Sequence, residues 1–155
     1  MNKNSLDIRR ATKDDLKFVF KLSNENSVRE NSFNSKPIQY ENHNEWFFNQ
    51  LQDKNILFYI LEFKKISIGQ IRYNLNENNA IIGISISEKF RGQGLALRGL
   101  EISTNEYFKT NELPIYAYIK KTNEGSIQLF KKAGFKLIDE EIINGIDSFI
   151  YRLKK

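Results

Sequence analysis

The chain of 155 residues contains no cysteine. That absence excludes disulfides, thiolate metal sites and a cysteine nucleophile. Proline is scarce, with two residues, and no Pro/Gly/Ser-rich stretch divides the chain, so residues 1–155 read as a single domain with one core. No run approaches the ~20 apolar residues needed to span a bilayer, and the first residues lack the apolar stretch of a signal peptide. These absences point to a cytoplasmic protein with no membrane partner. Charge of one sign is only modestly in excess, at +5. Nucleic-acid binding, binding of a small polyanion, and compositional drift toward Lys and Asn each fit that number. The lysines are scattered and form no stripe, so no nucleic-acid partner is expected. No metal site is expected either.

The apolar periodicity sets the elements. Leu6 to Arg10 alternates as a strand, and Thr12 stands three residues before Asp15, as in a capping box. Leu16, Val19, Phe20 and Leu22 then follow helical spacing. Ser23 to Tyr40 is polar, without a period, and reads as a long loop. Glu41 to Leu51 reads as a helix with Trp46, Phe47 and Leu51 inward. Ile56–Phe63, Ile66–Tyr73 and Ala80–Ser87 are closely spaced strands rich in β-branched and aromatic residues, which implies an antiparallel meander. A helix from about Gly94 to Phe108, a strand from Pro114 to Ile119, and a helix capped by Asn123 and stopped at Gly134 come next. Asn144-Gly145 between two apolar runs signals a closing hairpin. The order β-α-α-β-β-β-α-β-α-β-β describes a mixed α+β sheet with helices packed on it.

The chemistry lies in Ile84-Ser85-Ile86-Ser87-Glu88-Lys89-Phe90-Arg91-Gly92-Gln93-Gly94-Leu95-Ala96: a strand, a loop with two glycines, then a helix. Glycines allow close backbone approach to a ligand. The helix start offers unpaired N–H groups and the positive end of its dipole. Together these suit a pyrophosphate, and Arg91 adds charge at the rim. A plain glycine turn is the structural alternative. The segment is not a P-loop, because no Gly-Lys-Ser/Thr follows. It is not a dinucleotide fingerprint, because Leu97 stands where a third glycine belongs.

Arg91-x-x-Gly94-x-Ala96, with Asn123-x-x-Ser126-x-x-Leu129-Phe130-x-x-Ala133-Gly134-Phe135 downstream, resembles the GNAT acetyltransferase superfamily. The resemblance covers nearly the whole chain. It implies the GNAT fold, a mostly antiparallel seven-stranded sheet with about four helices on its faces, and acetyl-CoA as co-substrate. By resemblance, backbone N–H groups of Arg91, Gly92, Gln93, Gly94, Leu95 and Ala96 hold the pyrophosphate. Ile84 and Ile86 pair with the pantetheine arm as an added strand, and an N–H near Ile86 stabilises the oxyanion. Asn123 and Ser126 are further cofactor contacts, with a plain helix cap as the alternative for Asn123. Phe130 departs from the family, in which many relatives carry a tyrosine that protonates the departing thiolate. The thiolate then leaves unprotonated or takes a proton from water or Ser126.

An amine acceptor must lose a proton before it attacks. His43, the one histidine, has an ordinary pKa suited to that role, although a surface or capping histidine is the plainer reading; Glu30, Glu45 and a water-mediated route are the alternatives. Asn26-x-Val28-Arg29-x-x-Ser32-Phe33, Ile38 and His43-x-x-Trp46 resemble the GNAT branch that acetylates nucleotide-linked deoxyaminosugars for surface glycans and nonulosonic acids. Under that resemblance Arg29, Ser32, His43 and Trp46 contact the acceptor, with Arg29 on a phosphate and Trp46 on sugar or base. The branch that acetylates ribosomal-protein N-termini is similar in the same half. A non-catalytic acyl-CoA sensor is the alternative of another class. A homodimer through the aromatic-rich C-terminal hairpin completes the expectations.

Overall fold

The computed structural model describes residues 5–155. Strands β1 (Leu6–Arg10), β2 (Ile56–Phe63), β3 (Ile66–Leu75), β4 (Ala80–Ile86), β5 (Ile115–Lys120), β6 (Lys136–Ile143) and β7 (Ile146–Leu153) form one sheet in the order β1-β2-β3-β4-β5-β7-β6. Helices α1 (Leu16–Ser23), α2 (Asn26–Asn31), α3 (Tyr40–Gln52), α4 (Leu95–Thr110) and α5 (Glu124–Lys132) connect them. The α+β expectation holds. Helix α2 corrects the reading of residues 23–40 as loop. It is short and polar, and no apolar period announced it.

Local chemistry fixes the joints. The capping box is present: Asp15 accepts from the Thr12 N–H at 2.8 Å. The links after β2 and β6 both use left-handed residues, Lys64-Lys65 and Asn144-Gly145, which match the twist of a two-residue hairpin. Gly134 ends α5 at φ 92°.

Strand β2 is apolar at every position from Ile56 to Leu61 because both its faces are covered. Ile56, Phe58 and Ile60 pack with Val19 and Phe47 beneath α1 and α3. Tyr59 joins Ile71, Tyr73, Leu100, Tyr107 and Phe130 beneath α4 and α5. There Tyr73 stacks on Tyr107 at 5.0 Å and bonds Ser103 Oγ at 2.7 Å.

All strand pairs are antiparallel except β4–β5. That parallel pair holds only at Ala80↔Ile115 and Ile81↔Tyr116. Beyond those residues the two strands part, and the sheet opens into a V.

Candidate active site

The V exposes half of the backbone of β4. Ala80 N–H donates toward β5, to Pro114 O at 2.9 Å, whereas Ser87 N–H donates toward β3, to Ile68 O at 2.8 Å. Backbone direction alternates along a strand. Ile84 therefore turns its N–H and C=O into the gap, and Ile86 its N–H, where no strand meets them. An extended chain laid along this edge finds a ready row of donors and acceptors.

The row runs into the glycine loop. Gly92 and Gly94 adopt φ 74° and 75°, and a Cβ on either would meet nothing within 4 Å. Gly94 is the left-handed N-cap of the 16-residue α4. Among the described residues, no N–H from Gly92 to Leu97 donates to a backbone carbonyl, and Arg98 N–H is the first to do so. Donors without a backbone partner thus gather at the positive end of a helix, a cradle for a polyanion.

Arg91 does not point at that cradle. Its Nε donates to Ile86 O at 3.0 Å and its Nη1 to Ser27 Oγ at 2.6 Å. Glu25 accepts from Ser87 Oγ at 3.0 Å and from Glu88 N–H at 2.9 Å. On the opposite arm Lys120 donates to Glu30 O at 2.8 Å. Helix α2 is thereby tied to the ends of both splayed strands, and it roofs a cleft of about 1570 Å³. That exceeds the roughly 300–1,000 Å³ of a single small-molecule pocket, so two ligands fit side by side.

Ile84, Ile86, Arg91, Gly92, Gly94, Leu95, Ala96, Asn123, Ser126 and Phe130 all line this one cleft, as do Arg29, Ser32, His43 and Trp46. Gln93 does not line it. Asn123 caps α5: its Oδ1 accepts from Ser126 N–H at 3.2 Å and its Nδ2 donates to Ser126 Oγ at 3.0 Å. Phe130 is buried edge-on against Phe135 at 4.9 Å.

Three acceptor-side residues are engaged within the protein itself. Arg29 spends its donors on the polypeptide: Ser23 O at 2.6 Å, Asn34 O at 3.1 Å, Lys36 O at 3.4 Å and Ser32 Oγ at 3.2 Å. These bonds take four of its five N–H donors, so it organises the segment after α1. Ser32 in turn donates to Val28 O at 2.6 Å. His43 is 1% exposed among Phe20, Trp46 and Phe47. Both its nitrogens are shut off from solvent and lack a hydrogen-bond partner among the described residues. Burial pushes its pKa down, against a weaker opposing effect of the Leu16 backbone. It is a neutral ring of an aromatic cluster, with no nitrogen presented to an amine.

One residue went unnoticed in the sequence. Arg72 of β3 lines the cleft beside Gln70 and Asn74. Its neighbours Ile71 and Tyr73 point into the core. The signal was there, as alternating polar residues on a strand between two others.

A family model described as an acetyltransferase (GNAT) domain matches residues 5–136. A spermidine N(1)-acetyltransferase of Escherichia coli is 26% identical over 149 residues, covering 91% of this chain and 80% of its own length. The structure of a spermidine N-acetyltransferase from Vibrio cholerae in complex with CoA and spermine superimposes with a TM-score of 0.86 at 21% identity, covering 96% of this chain and 95% of that one. An aminoglycoside acetyltransferase in complex with coenzyme A superimposes with a TM-score of 0.84 at 16% identity, covering 97% and 95%.

Proposed function

We propose that this chain, which belongs to the acetyltransferase (GNAT) domain family, moves the acetyl group of acetyl-CoA to the primary amine of a small molecule held in the cleft between β4 and β5. The observation that carries this is the continuity of the unpaired β4 edge with the unpaired N–H groups after Gly92. The first matches an extended amide arm, the second a pyrophosphate. Acetyl-CoA supplies an activated thioester.

The residues of the chain divide the work. Gly92 to Leu97 bind phosphate oxygens through N–H groups, and Gly92 and Gly94 keep the approach free of side chains. Ile84 and Ile86 orient the arm. The Ile86 N–H lies at the open end of the edge, where it stabilises oxyanion charge. Attack is direct, within a ternary complex, because the chain has no cysteine to carry the acyl group. Solvent in the cleft takes the proton of the amine, since the His43 nitrogens are closed off. Phe130 donates no proton. The Ser126 hydroxyl, held by Asn123, is a donor on the same wall.

The acceptor is read as the amino group of a nucleotide-linked deoxyaminosugar in surface-glycan or nonulosonic acid synthesis. A cleft with room for two ligands and walls of Ser, Asn and Gln supports that reading. A peptide N-terminus fits less well, because α2 closes the cleft over both strand ends. A polyamine is the second reading, favoured by the similarity to spermidine acetyltransferases. It would rely on Glu124 and Glu141, the carboxylates that line the cleft among the described residues. Mass spectrometry of products from UDP-4-amino-4,6-dideoxyhexoses, spermidine and free-N-terminal peptides separates the three. Acetylation of the aminosugars supports the first reading, and acetylation confined to spermidine or to peptides sinks it.

A further inference from the structure

We infer that Arg72 is a specificity residue that recognises an oxyanion, a phosphate or carboxylate, carried by the acceptor beside its amine. The inference rests on the acetyl-transfer reading and narrows its acceptor class.

Arg72 stands in the middle of the sheet, opposite Phe58 of β2 and Gly83 of β4. Its guanidinium lies over the Trp46 ring at 4.8 Å from the centroid and 5.9 Å from that of Phe58. Among the described residues it makes no salt bridge and no hydrogen bond, unlike Arg9, Arg29 and Arg91. Its five donors form a planar fork made for a bidentate oxyanion. The aromatic rings hold the group by its faces, which leaves its edges free to donate. Gly83 beside it leaves space, since a Cβ there would meet nothing within 4 Å.

The charge pattern agrees. Trp46, Phe58, Gln70, Asn74 and Gly83 around Arg72 are all uncharged, and Glu41 and Glu45 of α3 are exposed. Glu124 and Glu141 lie instead at the start of α5 and on β6. Burial makes the isolated cation costly. A bound oxyanion removes that cost, whereas a polycation raises it.

The test compares matched acceptors: glucosamine with glucosamine 6-phosphate, butylamine with 4-aminobutyrate, and spermidine alone. CoA release gives kcat/KM for wild type, Arg72→Lys and Arg72→Met. Wild type is expected to prefer the anionic member of at least one pair by on the order of 10–100-fold, the weight of a charge-assisted hydrogen bond. The phosphate and carboxylate pairs tell the two oxyanions apart. Arg72→Met loses the preference, read as the ratio of kcat/KM within each pair, while Arg72→Lys retains part of it. Trp46, the only tryptophan, supplies a second readout, since its emission shifts when glucosamine 6-phosphate or 4-aminobutyrate titrates the CoA complex. Spermidine turnover above every anionic amine, unchanged in Arg72→Met, overturns the inference and leaves acetyl transfer standing. No turnover on any amine overturns acetyl transfer itself, and the Trp46 titration then decides Arg72 alone: a shift lost in Arg72→Met supports it, and no shift with either anion refutes it.

Discussion

Gly94→Ala separates backbone strain from ligand binding at the glycine loop. Gly94 sits at φ 75°, the left-handed region, at the start of α4. Any L-residue there costs about 1–2 kcal/mol. No clash adds to this, because the new Cβ meets nothing within 4 Å. For a domain of this size each kcal/mol lowers Tm by about 2–4 °C, so a fall of roughly 2–8 °C is expected. The methyl group emerges into the space the phosphates must enter, and relaxation of the strain turns the N–H groups of Gly94 to Ala96. CoA affinity, read by isothermal titration calorimetry, should fall roughly tenfold or more, about 1.4 kcal/mol or above. Gly145→Ala is the control: it has the same strain at φ 77°, also in open space, at the tip of the β6–β7 hairpin. It should lose the same stability and bind CoA normally. A Gly94→Ala protein with the expected drop in Tm and unchanged CoA affinity would refute the cradle.

Four further outcomes follow from other parts of the molecule. His43→Phe replaces a ring whose nitrogens have no partner, so thermal stability should hold or rise and kcat should stay within about tenfold; a loss above a hundredfold would restore His43 as the base. Gly69→Ala puts a Cβ 2.6 Å from Ser85 O and 2.7 Å from Ile86 Cδ1, so chemical denaturation should show a loss of about 1–3 kcal/mol together with reduced kcat from a displaced Ile86. Burial alone would raise the pKa of Asp15, but two bonds from Arg9 and one from the Thr12 N–H hold it below its ordinary value. The stability it contributes is full above the unfolded value and lost as pH falls through the folded one, so urea titrations below pH 4 should show a loss that Asp15→Asn lacks. The homodimer reading, supported by the exposed Leu137, Ile138 and Ile142 of β6, expects a dimer mass in sedimentation and a monomer for Ile142→Glu.

The strands were legible because β-branched and aromatic runs broke at residues with turn chemistry. Only Lys64-Lys65 separates the runs of β2 and β3, and Asn144-Gly145 carries the strongest hairpin signal. The glycine loop was legible because Gly92 and Gly94 sit between an apolar strand and a long helix. Helix α2 was not, since Asn26–Asn31 buries no residue and is held by side chains from distant elements, among them Arg91 and Lys120. The surroundings of Arg29 and His43 were not legible for a related reason. Residue type showed what each is able to do, but only the fold shows that Arg29 spends its donors on the chain and that Phe20, Trp46 and Phe47 enclose His43. The splay of β4 from β5 depends on a pairing that stops after two residues, which no local pattern records.

Amine-dependent release of CoA thiol from acetyl-CoA tests the central claim most directly. Wild-type protein, offered the aminosugars, glucosamine 6-phosphate, spermidine and peptides in turn, is expected to release thiol only when an accepted amine is present, with saturation in both substrates and turnover of ~1–10³ per second. Tight binding of acetyl-CoA with no amine-dependent release from any of them would contradict the account and favour the acyl-CoA sensor.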